Sequence, residues 1–200
     1  MNDTTAHYSP VAKILHWWIA ALVILQYVLA NRVESAEDAG SELLERALMA
    51  NHKSVGITIL VLVLVRLGWR FYRPPPPPLP MPRWQTRAAA ISHWGFYALL
   101  ILLPLTGWLM SSAAATPVNW FGLLQLPDFI AANGGLEEVF EEIHETLAPL
   151  LAILGLLHVA AAAKHAVIDK DDALRRISSP LSIAIFVAVF AAGVVLLVSG

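Results

Sequence analysis

The chain has 200 residues, 58% of them hydrophobic and only 14% charged, with a mean hydropathy of +0.64, a balance that a soluble domain of this size does not carry. The composition points to a membrane protein, and no nucleic-acid partner is expected. There is no cysteine, which excludes disulfides, Cys-ligated iron–sulfur clusters, zinc–thiolate sites and covalent haem attachment through CxxCH.

The first apolar run, residues 14–30, follows Lys13 as a secretory signal would, but its end, QYVLANRV, is a poor cleavage site, and His16, Trp17 and Trp18 are odd content for a discarded segment. The second run, 55–69, has a helix start at Asn51 and ends among Trp69, Phe71 and Tyr72, aromatics of the kind found at membrane interfaces. RPPPPPLPMP cannot be helical and reads as a stiff polyproline spacer, with docking of a proline-recognition partner as the alternative. The third run, 91–110, starts at Ser92. A long loop from Ser111 to about Glu142 carries VNWFGLLQLPDFI, an amphipathic piece expected in the outer interface. The fourth run is 147–168, and SSP at 178–180 opens the fifth, 181–198. Each run is near the length that crosses a bilayer core as a helix. The expected fold is an all-α integral membrane protein, a four-helix bundle over residues 1–176 with an additional transmembrane helix over 177–200.

Charge orients the bundle, because Lys and Arg are retained in cytoplasmic loops. Arg70, Arg73, Arg83 and Arg87 lie between the second and third runs, and Lys170, Arg175 and Arg176 follow the fourth. The first loop instead holds Glu34, Glu37, Asp38, Glu42 and Glu45, and the third holds Asp128, Glu137, Glu138, Glu141, Glu142 and Glu145. The amino terminus is therefore expected in the cytoplasm and the carboxyl end in the periplasm of a bacterial inner membrane.

Histidines at membrane depth are costly and are functional candidates, whereas a single neutral histidine bonded to a neighbouring helix is the plain alternative. His144 and His158 are fourteen residues apart, about 40° short of four full helical turns and about 21 Å in rise, so they share one face at two depths. His52, early in the second helix, matches the outer level of His144. His16, early in the first, matches the inner level of His158. Two pairs stacked at two depths are what two b-type haems with bis-histidine ligation require, and with both axial positions filled the chemistry is outer-sphere electron transfer. Arg66 lies fourteen residues after His52 and is a candidate for the inner haem's propionates, or a snorkelling interfacial arginine. Lys53 could serve the outer haem or sit among headgroups. Gly56, Gly107 and Gly155 could admit a flat macrocycle or simply allow close packing. His165 competes with His158 as the inner ligand. His93 is a candidate for a propionate or quinone contact, or a satisfied helix-terminal histidine, and His7 has no expected role.

KILHWWIA at Lys13, NHKSVGITILVLVLVRL at Asn51, SHWGFYALLILLPLTGWLM at Ser92 and EIHETLAPLLAILGLLHVAAAAKH at Glu142 together resemble the bacterial cytochrome b-561 family of four-helix, two-haem membrane proteins, over roughly residues 8–176. The resemblance implies haem b and iron at His16, His52, His144 and His158. Within that family the likeness is to members that oxidise superoxide at the outer face and reduce ubiquinone, in which case Lys53 with Arg32 or Arg46 would draw in the anion. Other members pass electrons between a periplasmic partner, such as a hydrogenase, and quinone. The fifth helix would be an extra anchor, or would lead to a periplasmic isoprenoid-binding domain. A haem-free protein that uses its histidines for protons or metal is the third possibility.

Overall fold

A computed structural model describes residues 7–199, with side chains described through residue 195. Four long helices dominate: α1 (Pro10–Asp38), α2 (Glu42–Tyr72), α3 (Arg83–Ala113) and α4 (Gly134–Lys164). With α4 counted through a π-helical turn at His165–Asp169, all four are long and apolar enough to cross a membrane. Two shorter helices, α5 (Ala173–Ile177) and α6 (Pro180–Ser199), close the chain.

The helices begin earlier than the apolar runs. α2 starts at Glu42 rather than Asn51, α3 at Arg83 rather than Ser92, and α4 at Gly134 rather than near Glu142. Hydropathy marks only the turns that lie in hydrocarbon, whereas ELLERALMA and the acid-rich start of α4 are good helix formers that continue into water. A 31-residue helix is about 46 Å long, well beyond a bilayer core of about 30 Å.

Local chemistry fixes the starts. The Ser9 side chain caps α1 by accepting from the Ala12 N–H, with Pro10 at the first helical position. Asn133 caps α4 through the Leu136 N–H at 3.1 Å. Ser179 and Ser182 bond reciprocally, backbone N–H to hydroxyl, at the start of α6.

α1 packs along α2, α2 along α3 and α3 along α4, while α6 lies on α1. α4 has no comparable packing against α1 or α2, which leaves a slot across the bundle. The core joins Ile19, Leu22, Leu25, Leu29 and Val33 of α1 to Val55, Ile59 and Val63 of α2. In lipid such a seam is held by side-chain fit rather than by exclusion of water. Leu156, Leu157 and Val187 face outward, as a hydrocarbon solvent permits. α6 runs parallel to α1: Phe186 meets Trp17 at 5.4 Å, and farther along Gly193 lies where an added methyl would stand 2.7 Å from Leu25. By side chain its apolar stretch is Pro180–Val195, shorter than the four long spans.

The end of the bundle where α1 begins, the proximal end, is knitted by polar bonds. Lys13 Nζ and Trp17 Nε1 donate to the Ser178 and Ile177 carbonyls, and buried Arg176 donates to the Pro77 carbonyl, tying the extended polyproline segment to α5. At the distal end the amphipathic piece is a β-hairpin, β1 (Asn119–Trp120) against β2 (Leu124–Gln125), with positive φ at Phe121 and Gly122 in its turn. It docks on α2: the Ser54 hydroxyl donates to Asn119 O and accepts from Phe121 N, and Trp120 Nε1 donates to Thr58 Oγ1.

Candidate cofactor-binding site

At the distal end, His52 of α2 and His144 of α4 face each other with ring centres 6.3 Å apart and planes at 67°. His144 Nδ1 lies 3.0 Å from the Leu103 carbonyl and 3.1 Å from Thr106 Oγ1, and the Thr106 hydroxyl itself donates to Leu103 O. A carbonyl only accepts, so Nδ1 carries the proton and Nε2 keeps its lone pair for a ligand. Gly107 makes the approach possible, because a methyl there would stand 3.2 Å from His144 Cε1. The partner is less tied down. His52 Nδ1 is buried without a hydrogen-bond partner among the described residues, as is Gln26 Oε1, while Gln26 Nε2 donates to the His52 carbonyl at 3.0 Å.

At the proximal end, His16 of α1 and His158 of α4 have ring centres 6.2 Å apart and planes at 66°. Arg66 Nη1 donates to His16 Nδ1 at 2.8 Å, and Arg66 also faces the Tyr97 phenol. Here the Nδ1 lone pair is in use, the reverse of the arrangement at His144. A third imidazole, His93 of α3, stands 6.1 Å from His158, and Phe96 meets the same ring at 5.2 Å.

A metal bonded to one nitrogen of each of two imidazoles at about 2 Å holds the ring centres about 6 Å apart. Both facing pairs have that separation. The slot decides where a flat macrocycle fits. His52 with His144, and His16 with His158, bridge α4 to helices it does not pack against. His93 and His158 sit on helices that pack side by side, where a methyl on Gly95 would stand 3.3 Å from Leu154 Cδ2. A methyl at Gly155 would meet nothing within 4 Å, so that face of α4 is open. Between the two levels Tyr27 crosses the slot, its hydroxyl donating to the Ala148 carbonyl at 2.6 Å.

The remaining sequence candidates are distributed as follows. Lys53 adjoins His52, but its ammonium is held by Thr116 O and Oγ1 at 3.3 and 3.1 Å. Arg46 pairs with Glu42, and Gly56 accommodates the Gln26 amide. His165 sits in the π-helical turn, with Nδ1 2.6 Å from Asp171 Oδ2, and does not join the His16 group. Asp171 lies outside the spans. Burial raises its carboxyl, but the Ala173 N–H, His165 and Lys164 outweigh that and hold its pKa below the ordinary carboxylate value. His7 is exposed ahead of α1. Thr106, Leu103 and Tyr27 were not legible as site residues. A carbonyl acceptor has no sequence signature, although the PLTG turn, which places Pro, Thr and Gly inside an apolar helix, could have prompted a search.

A family model described as prokaryotic cytochrome b561 matches residues 7–180. Cytochrome b561 homolog 2 of Escherichia coli K12 is 31% identical over 88% of this chain and 93% of that protein. Cytochrome b562 of Cereibacter sphaeroides is 29% identical over 86% of this chain and 96% of its own length. A Yersinia pestis protein named probable superoxide oxidase CybB is 30% identical over 84% and 94%.

Proposed function

Because the chain belongs to the prokaryotic cytochrome b561 family, whose members bind haem b and transfer electrons in the membrane, we propose that it is a diheme cytochrome b that oxidises superoxide on the periplasmic side and reduces ubiquinone. The balance is two superoxide anions, one ubiquinone and two protons giving two dioxygen molecules and one ubiquinol. The observation that carries the reading is the pair of imidazole couples, 6.3 and 6.2 Å between ring centres, opposed across the slot at two depths.

When bound, haem b supplies a one-electron iron centre at each level. His52 and His144 would hold the outer one, with Leu103 O and Thr106 fixing the His144 tautomer. His16 and His158 would hold the inner one, and Arg66, which now donates to His16, is the cation placed to meet its propionates. Were all four imidazoles engaged in holding the haems, substrate would exchange electrons without binding iron. Lys53, fixed by Thr116 beside His52, is the positive charge that meets superoxide at an otherwise acidic surface. Residues 1–176 form the diheme bundle with the amino terminus in the cytoplasm. Residues 177–200 add a fifth transmembrane helix parallel to α1, so that the carboxyl end faces the periplasm.

The acidic distal surface, with Glu42, Glu45, Glu137 and Glu138, favours one second reading, an electron-transfer subunit whose donor is a basic periplasmic protein or domain. Purified protein should carry two b-type haems per chain, and enzymatically generated superoxide should reduce them and then ubiquinone. Haems that stay oxidised until a protein donor is added would overturn the superoxide assignment in favour of the second reading.

A further inference from the structure

Four buried side-chain polar atoms have no hydrogen-bond partner among the described residues: Ser111 Oγ, Ser178 Oγ, His52 Nδ1 and Gln26 Oε1. The last two lie on residues that are already joined, since Gln26 Nε2 donates to the His52 carbonyl at 3.0 Å. Gln26 stands on α1 ten residues beyond His16, about 15 Å along the axis toward the distal end. Its neighbours on that helix, Leu22, Leu25 and Leu29, belong to the core, so the amide is held at membrane depth, where an unmade hydrogen bond is costly. Gly56 gives it room, because an added methyl there would stand 3.4 Å from Gln26 Nε2. Anchored to α2 through Nε2, the amide keeps Oε1 as a spare acceptor beside His52. On the His52 ring Nδ1 is the enclosed nitrogen, which leaves Nε2 for the slot that His144 faces. A ring that gives Nε2 to a metal carries its proton on Nδ1 and needs an acceptor there.

We propose that Gln26 is the positioning residue of the outer ligand, its Oε1 accepting the His52 Nδ1–H in the haem-loaded protein. The inference rests on the reading of His52 as an axial ligand. Gln26 then gives His52 what Leu103 O and Thr106 give His144, a neutral oxygen from a neighbouring helix. An imidazole that donates from Nδ1 is the more basic ligand, which stabilises ferric iron and lowers the outer potential. A lower outer potential favours passage of the electron inward to the proximal level.

The test is a spectroelectrochemical titration of the holoprotein, with the outer haem identified by comparison with His158→Ala, which is expected to retain that one alone. Gln26→Leu should keep two haems per chain. Its outer haem should become easier to reduce by about tenfold in the reduction equilibrium, about 59 mV for one electron, with the inner one within about twofold of wild type. Gln26→Glu keeps an oxygen for Nδ1–H but loses the N–H to the His52 carbonyl, so its outer potential should lie at or below the wild-type value. A rise in Gln26→Glu equal to that in Gln26→Leu would mean that the amide only braces α1 against α2, and overturns the assignment. An unchanged outer potential in Gln26→Leu also overturns it, handing the proton to the Gln26 main-chain oxygen, which faces the same ring. Where Gln26→Leu loses the outer haem, Gln26→Glu decides: two haems with an outer potential at or below wild type uphold the acceptor role, and loss of the outer haem there too overturns it. Two haems retained in His52→Ala would sink the ligand reading itself, and this inference with it.

Discussion

The distal and proximal histidine pairs have nearly the same spacing but opposite hydrogen bonding. At the distal end His144 gives its Nδ1 proton to the Leu103 carbonyl and Thr106 hydroxyl, so Nε2 keeps its lone pair. At the proximal end His16 receives a guanidinium proton from Arg66 on the corresponding nitrogen. The distal ring is oriented by a backbone carbonyl and a short hydroxyl of α3. The proximal ring is satisfied by a long cationic side chain that a propionate can draw away. Equal spacing therefore does not mean equal preorganisation, and the two sites should differ in how they respond to loss of a supporting group.

The largest expected effect comes from the ligands. His144→Ala and His158→Ala should each lower haem from two to one per chain by pyridine haemochrome assay, with different reduced spectra for the haem that remains. His165→Ala should keep both, since its ring is committed to Asp171. A chain that loses a haem with His165→Ala but not with His158→Ala would move the proximal site toward the surface. Next in size, Arg66→Leu should weaken proximal haem retention about 10-fold to 100-fold, read as transfer to an external haem acceptor, with Arg66→Lys intermediate. Equal release of both haems would mean that the two sites are equally preorganised. Thr106→Val removes one of two acceptors at His144 and leaves Leu103 O, so a smaller loss of about 10-fold, confined to the distal haem, is expected.

The smallest effect concerns the proximal surface. The folded-state pKa of Asp171 lies below that of an unfolded aspartate, about 3.9. Its contribution to stability is therefore complete above the unfolded value and disappears as pH falls through the folded one. Wild type should melt above Asp171→Asn at pH 7, and the two should converge in acid. A gap that persists at low pH would mean that the carboxylate's charge is not what matters there.

Much of this molecule is written in one dimension because a bilayer imposes one. A 3.6-residue helical repeat and a fixed span convert residue number into depth, so Glu141 to His158 reads as a scale with an imidazole at each of two levels. Four long spans and the pairing of facing histidines by level were available from that scale, and the extended segment after α2 from its run of prolines. Helix starts were not, because Glu42, Arg83 and Gly134 begin turns that lie outside hydrocarbon and leave no hydropathic mark. The hairpin at Asn119–Gln125 was also hidden, since its stability comes from Ser54 and Thr58 on a distant helix rather than from its own seven residues.

The sequence alone determined how far apart the histidines of one helix stand along its axis, which follows from residue position, and that no thiol chemistry is open to the chain, which follows from residue type. Tertiary structure decided which helices touch and which stand apart. It placed α4 against α3 and away from α1 and α2, separating the couples that bracket a slot from His93, whose ring is as close to His158 but on an adjoining helix. It also set the tautomer of His144 through a carbonyl 41 residues away. Axial position is a property of one helix, whereas a slot and a shared proton exist only between two.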